Sequence, residues 1–247
     1  MRRLALVSLA SLVLGGPVHG QDELRWAERR GSEIFLQDRA ASLATDEATV
    51  EFLVRSGIQG YVVTNRELVY DVHFIGRCEG SNCVHFRVAV DFEAQSSELV
   101  VPEDAAPVSG IIGQLWKARN TALSKPFTMC TPSYNLVVLP EDNAAAANWV
   151  VYLLAATTNA NQAVMTGHHR VTVSNDGAEI LREEELFNAC LVQEVQGDTA
   201  GLMITEVVSD YPTELHVFMS MNYNLPIYVS AGERVYSVAR NTIALVE

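Results

Sequence analysis

From Tyr134 onward the chain is punctuated in one way: apolar runs of strand length, each closed by turn residues. Residues 135–139, 149–157, 164–174, 202–208, 215–222, 226–230 and 235–245 are rich in Val, Ile, Leu, Tyr and Phe. Between them stand Asn175-Asp176-Gly177, Gln196-Gly197-Asp198, Tyr211-Pro212 and Ala231-Gly232, which carry the backbone freedom and fixed φ that tight turns need. Such a series cannot be wound into helices of ordinary length and predicts a strand-rich C-terminal half.

The first half reads differently. Residues 22–44 place Leu24, Ala27, Gly31, Ile34 and Phe35 near one face, which predicts an amphipathic helix. Thr45-Asp46 reads as the N-cap of a second, short helix through Val54, closed by Ser56-Gly57. Residues 60–63, 68–75 and 84–92 read as strands. In the second of these His73 alternates outward. The polar, proline-bearing stretch 93–107 is the best linker candidate, and residues 108–123, with Ile111, Ile112, Leu115, Ala118 and Ala122 at helical spacing, predict a further helix stopped by Pro126. Helices followed by runs of strands imply an α+β fold, with N-terminal helices and a central helix packed on a mainly antiparallel sheet. A helical segment with a hairpin region (21–107) precedes a helix with an antiparallel region (108–247), and one continuous domain over 21–247 accommodates the same elements.

Residues 1–20 have the layout of a removable secretory signal. Arg2 and Arg3 precede an apolar run at 4–14, then Gly15-Gly16-Pro17 and the small-residue site Val18-His19-Gly20. The run is well short of the roughly 20 residues that span a bilayer. A periplasmic or secreted location without stable membrane insertion is therefore expected. Loss of Arg2 and Arg3 takes the formal charge from −13 to −15. A surface this acidic repels phosphate backbones and anionic headgroups, which argues against nucleic acid as a partner and leaves a protein, peptide or envelope component.

An oxidising compartment also suits the four cysteines. Cys78 and Cys83 bracket Glu79-Gly80-Ser81-Asn82 between extended runs, as a disulfide across a hairpin mouth would, and Cys130 and Cys190 then pair by default. Four cysteines allow three connectivities. On the loop-entropy model the long bridge stabilises by roughly 4 kcal/mol and the short one by roughly 2 kcal/mol.

Common catalytic signatures are missing: no G-x-S-x-G, H-E-x-x-H, Walker loop, G-x-G-x-x-G, S-x-x-K or C-x-x-C occurs in the chain. No cofactor is predicted. Histidine remains. In Gly167-His168-His169-Arg170 the two imidazoles point to opposite faces of a strand, His169 with the core residues Val171 and Val173. In Thr213-Glu214-Leu215-His216, read as a strand, Glu214 and His216 share one face. If His168 approaches them, His168, Glu214 and His216 form a cluster fit to orient a general base or offer metal ligands. The competing reading is an ordinary cross-strand polar pair. Trp26, Trp116 and Trp149 read as packing aromatics, Glu183-Glu184-Glu185 as a solvated edge, and Ser124-Lys125 lacks the spacing of a catalytic dyad.

The phrases 134–140, 149–157, 167–171 and 213–218, with Asp38-Arg39-Ala40-Ala41 and Trp116-Lys117-Ala118-Arg119, resemble a set of uncharacterised exported proteins of Gram-negative bacteria. The resemblance implies a periplasmic address and an undivided ordered chain, and attaches no activity. The function expected on these grounds is a non-catalytic binding or interaction protein of the cell envelope, the alternative being a hydrolase or metal-dependent enzyme using the His/Glu cluster.

Overall fold

A computed structural model describes residues 18–49, 53–54, 57–142 and 147–246. Most of the expected signal, residues 1–17, lies outside them, as do residues 50–52, 55 and 56 of the expected second helix. Among the described residues the fold is α+β, with three helices and fifteen strands, and no helix there is long and apolar enough to cross a membrane.

Helix α1 (Val18–Ala48) runs straight through the position expected to cap a second helix. Thr45 shows why. Its Oγ1 donates to the carbonyl of Ala41, one turn back, at 2.7 Å, so the hydroxyl serves the helix interior instead of starting a new one. The helix ends before Thr49, whose φ of 54° is left-handed.

The first sheet holds β1 (Ile58–Arg66), β2 (Val69–Cys78), β3 (Ser81–Asp91) and β4 (Ser96–Val100) in that order, with the short β5 (Ala106–Pro107) also on β3. Two readings change here. The stretch 93–107 is not a linker but supplies β4 and β5. Asp91 closes the β3–β4 turn by accepting the N–H groups of Glu93 and Ala94, both at 2.9 Å, and β4 is polar because it is almost wholly exposed. His73 does not look outward. It is 8 % exposed, because β2 is covered on both faces, and its Nε2 meets Thr64 Oγ1 at 2.9 Å.

The second sheet runs β6 (Ser133–Pro140), β7 (Trp149–Ala156), β9 (His169–Val173) and β10 (Ile180–Glu185), with β7 between β6 and β9, all antiparallel. Its central strand, Trp-Val-Val-Tyr-Leu-Leu-Ala-Ala, has no polar face because each face meets a core. Val150, Tyr152 and Leu154 enter one core with α1, while Trp149, Val151 and Leu153 enter another with Leu115, Trp116 and Ala118 of α2 (Gly110–Ala122). Val62 and Ile75 of the first sheet join that second core, and a third lies between the far half of α1 and the first sheet. β8 (Gln162–Val164) pairs with β11 (Val192–Glu194).

The last sheet holds β12 (Leu202–Thr205), β13 (Ile227–Ala231), β14 (Arg234–Ala239) and β15 (Thr242–Leu245). β12 is parallel to β13, and parallel neighbours need a crossover, usually a helix. Residues 214–223 provide it as α3 (Glu214–Tyr223), which corrects the strand expected at 215–222. The run from Glu214 to Ser220 is buried on every side, and an apolar run of this length does not distinguish strand from helix by period.

α1 and α3 meet at Gly31, where a Cβ would lie 2.5 Å from both the Glu214 carbonyl oxygen and Val217 Cβ. Only a bare Cα permits this approach. Gly31→Ala is therefore expected to lower urea stability by about 1–3 kcal/mol through overpacking. Gly113→Ala, in α2 with its nearest neighbour at 3.7 Å, should instead raise it by up to about 1 kcal/mol. Equal midpoints for Gly31→Ala and the parent would refute the close contact.

Candidate functional site

A cavity of about 340 Å³ opens between the β8–β9 segment, the loop joining β10 to β11, the end of β12 and the first turns of α3. Met165, Leu186, Phe187, Leu191, Ile204, Leu215 and Met219 make it largely apolar, and His168, His216 and Glu206 bring polar groups to its wall. The Cys130–Cys190 disulfide (Cα–Cα 5.3 Å) ties down the loop that forms one side. It packs on Gly167, whose φ of 95° and would-be Cβ at 2.5 Å from Cys130 Cβ require glycine. Thr166 adds a second tie, donating to the Ala189 carbonyl and accepting the Leu191 N–H, both at 2.7 Å. The other pair, Cys78–Cys83, closes the β2–β3 hairpin (Cα–Cα 5.9 Å), so both disulfides join the cysteines expected.

The site brings together His168 and His216 but not Glu214. On a strand residues two apart share a face, whereas on a helix they stand about 200° apart. His216 therefore faces the cavity, and Glu214 turns away to accept from Arg170 Nη1 at 2.6 Å and Tyr152 OH at 3.2 Å. Arg170 also grips Glu184 through Nε and Nη2, each at 2.9 Å. The acidic run is thus an internally paired edge strand: Glu183 meets Lys125 at 2.8 Å and Glu185 accepts from Thr128 at 2.7 Å. That ion pair removes Lys125 from any dyad with Ser124, whose hydroxyl donates to Thr121.

In place of Glu214 the cavity has Glu206, which the sequence does not single out among 30 acidic residues. Its Oε1 accepts the N–H groups of Val207, Val208 and Ser209 at 2.8, 2.6 and 3.2 Å. Its Oε2 lies 3.6 Å from His216 Nε2. Burial raises the Glu206 pKa, against the lowering by those three amides, and the Glu214 charge raises it further.

Backbone donors settle both tautomers. The Ala155 N–H donates to His168 Nδ1 at 3.0 Å, and the Thr213 N–H to His216 Nδ1 at 3.0 Å. Each Nδ1 spends its lone pair on an amide, so each proton resides on Nε2. The His168 Nε2 is buried and has no hydrogen-bond partner. The His216 contact completes a capping box in which histidine stands where Glu or Gln is usual. Burial, then the neighbouring His216 and His169, push His168 down to about 3, and burial pushes His216 down to about 4.

The remaining expected residues pack. His169 sits among Phe127, Phe187 and Tyr134, its Nε2 donating to the Thr128 carbonyl at 2.8 Å. Trp116 and Trp149 belong to the core under α2, and Trp26 packs on the core under α1. Among the described residues no group of three His, Cys, Asp or Glu is placed to hold a metal ion.

No protein-family model matches the chain, and no curated protein matches it. Among solved structures, the Bacillus megaterium YpeB C-terminal domain is similar at 13% identity and a TM-score of 0.17. The similarity spans 67% of this chain and 66% of that one, just under two thirds of its length. A TM-score this low carries no argument about fold or function.

Two histidines held neutral make stability pH-dependent with a definite sign. Above their ordinary value of 6.5 neither state takes up a proton. Below it the unfolded chain does so, whereas the folded protein waits until about 4 at His216 and about 3 at His168, so stability falls as pH falls. Asp38, raised by burial to about 6, acts in the opposite sense and offsets part of the slope. His216→Gln keeps a capping acceptor and removes one titrating group. Its stability should decline less steeply than the parent's between pH 6 and 4, by up to about 1.4 kcal/mol per pH unit. Parallel urea-stability curves for the two proteins would contradict this.

Proposed function

We propose that the chain is an exported, non-catalytic binding protein of the cell envelope, with its ligand cavity over His168 and His216. The observation that carries this reading is the pair of tautomers. A general base and a metal ligand both need an imidazole lone pair directed at the reacting centre. Here both Nδ1 lone pairs are taken by backbone amides and both Nε2 atoms are protonated. What the imidazoles offer the cavity is hydrogen-bond donation, which suits recognition. The wall hydroxyl of Thr166 is engaged with the backbone, and Cys190 is in a disulfide, so neither is free to act as a nucleophile.

The cavity lies at the small end of ligand-binding volumes, and its walls are tied by a disulfide and backbone hydrogen bonds, which reduces the ordering cost of binding. Export is supported by the two disulfides and the signal-like residues 1–20.

The purified chain is expected to show no turnover of p-nitrophenyl acetate, p-nitrophenyl phosphate or casein above the uncatalysed rate. Elemental analysis is expected to find no stoichiometric zinc. When the full gene is expressed in a Gram-negative host, the periplasmic fraction should contain a chain beginning at Gln21. Turnover abolished by His216→Gln, or one zinc per chain, would establish the enzyme reading instead.

A further inference from the structure

We propose that the cavity over His168 and His216 receives an uncharged group: an apolar body bearing one carbonyl-type hydrogen-bond acceptor, as in an amide or ester. This rests on the binding reading above and names the chemistry of the ligand.

The acceptor follows from one imidazole N–H group in need of a partner. His168 Nε2 is a buried donor without a partner in the chain, and leaving such a donor unpaired costs free energy that an acceptor recovers. His216 Nε2 lies 3.6 Å from the Glu206 carboxylate, longer than a hydrogen bond. Both imidazoles line the same cavity. The apolar body follows from the apolar side chains on that wall, Met165, Leu186, Phe187, Leu215 and Met219 among them.

Charge is excluded on both signs. No Lys or Arg among the described residues lines the cavity, and its one carboxylate, Glu206, opposes an anion. A cation finds no lone pair on either imidazole. Glu206 is a poor counter-ion for it, because its Oε1 already accepts three backbone N–H groups. An ion entering this apolar wall would lose hydration without an adequate partner.

Four probes with one ring separate these cases: benzamide, benzoate, benzylammonium and toluene. Each is titrated into the ¹⁵N-labelled chain at pH 7 while the histidine Nε2–H signals and the Thr213 and Ala155 amides are followed by NMR. Benzamide is expected to shift the His168 and His216 Nε2 signals saturably. It should bind at least about fivefold more tightly than toluene, the worth of roughly one hydrogen bond. Ala189→Trp, at an exposed position in the cavity wall, should abolish the shifts without altering the fold. Tighter binding of benzoate or benzylammonium would overturn the uncharged ligand and leave the binding reading standing. Equal affinity for toluene would overturn the acceptor alone. If no probe moves these signals, or Ala189→Trp leaves every shift in place, the cavity holds only water and both readings fall together.

Discussion

The tertiary structure depends on the approach of α1 to α3 at Gly31. A side chain there would meet the Glu214 carbonyl and Val217 at 2.5 Å, so the two helices pack backbone against backbone. α1 is the common wall of two cores. Its first half, with Ala27 and Ile34, packs against α3, the last sheet and one face of the second sheet. Its second half, with Ala40, Ala41, Ala44 and Ala48, lies on the first sheet. Small residues along one stripe keep the helix close to everything it touches, and close packing transmits position. Where α1 lies determines where α3 begins, and the first turn of α3 carries His216.

The opposite side of that turn is held by charge. Glu214 is 1 % exposed and receives Arg170, which in turn holds Glu184. Burying a carboxylate costs several kcal/mol unless it is paired and hydrogen-bonded, and this one has both Arg170 and the Tyr152 hydroxyl. Breaking such a pair is far more damaging than never having it, so the arrangement specifies orientation more than it adds stability. α3 therefore has one face fixed by an ion pair to the second sheet and another presenting a neutral imidazole to a cavity. The disulfide to Cys190 and the ties from Thr166 hold the facing loop. The cavity is therefore tied on both sides by bonds within the chain.

Much of the architecture was legible because local chemistry dictates it. The turn residues after each apolar run, the helical spacing through Ala118, and the pairing of Cys78 with Cys83 across four polar residues needed no distant information. The failures have equally specific causes. Thr45 has the chemistry of a cap, yet its hydroxyl satisfies the Ala41 carbonyl. The stretch containing Ser96–Val100 is polar because that strand is exposed, and polarity reads as linker when the partner strand is unseen. His73 alternates correctly but lies on a sheet covered on both faces. Residues 215–222 are apolar throughout, a pattern common to a fully buried strand and a fully buried helix, and the parallel pairing of β12 with β13 is what requires a helix there.

Residue types alone determined the α+β class and the net acidic charge, made Cys78–Cys83 with Cys130–Cys190 the expected one of three pairings, and singled out His168 and His216 as the imidazoles worth following. Glu206 was beyond reach, because a carboxylate that caps three amides in a turn looks like any other acid in the chain. The tertiary structure decided that His168 and His216 line one cavity and that Glu214 turns from it to Arg170. The reason is angular: two residues apart means the same face on a strand and nearly opposite faces on a helix, so the element type at 214–223 assigned Glu214 and His216 to separate environments. It also decided the chemistry of the site. Which ring nitrogen keeps its proton depends on two backbone amides, Ala155 and Thr213, and the packing of the chain alone places the first of these against His168.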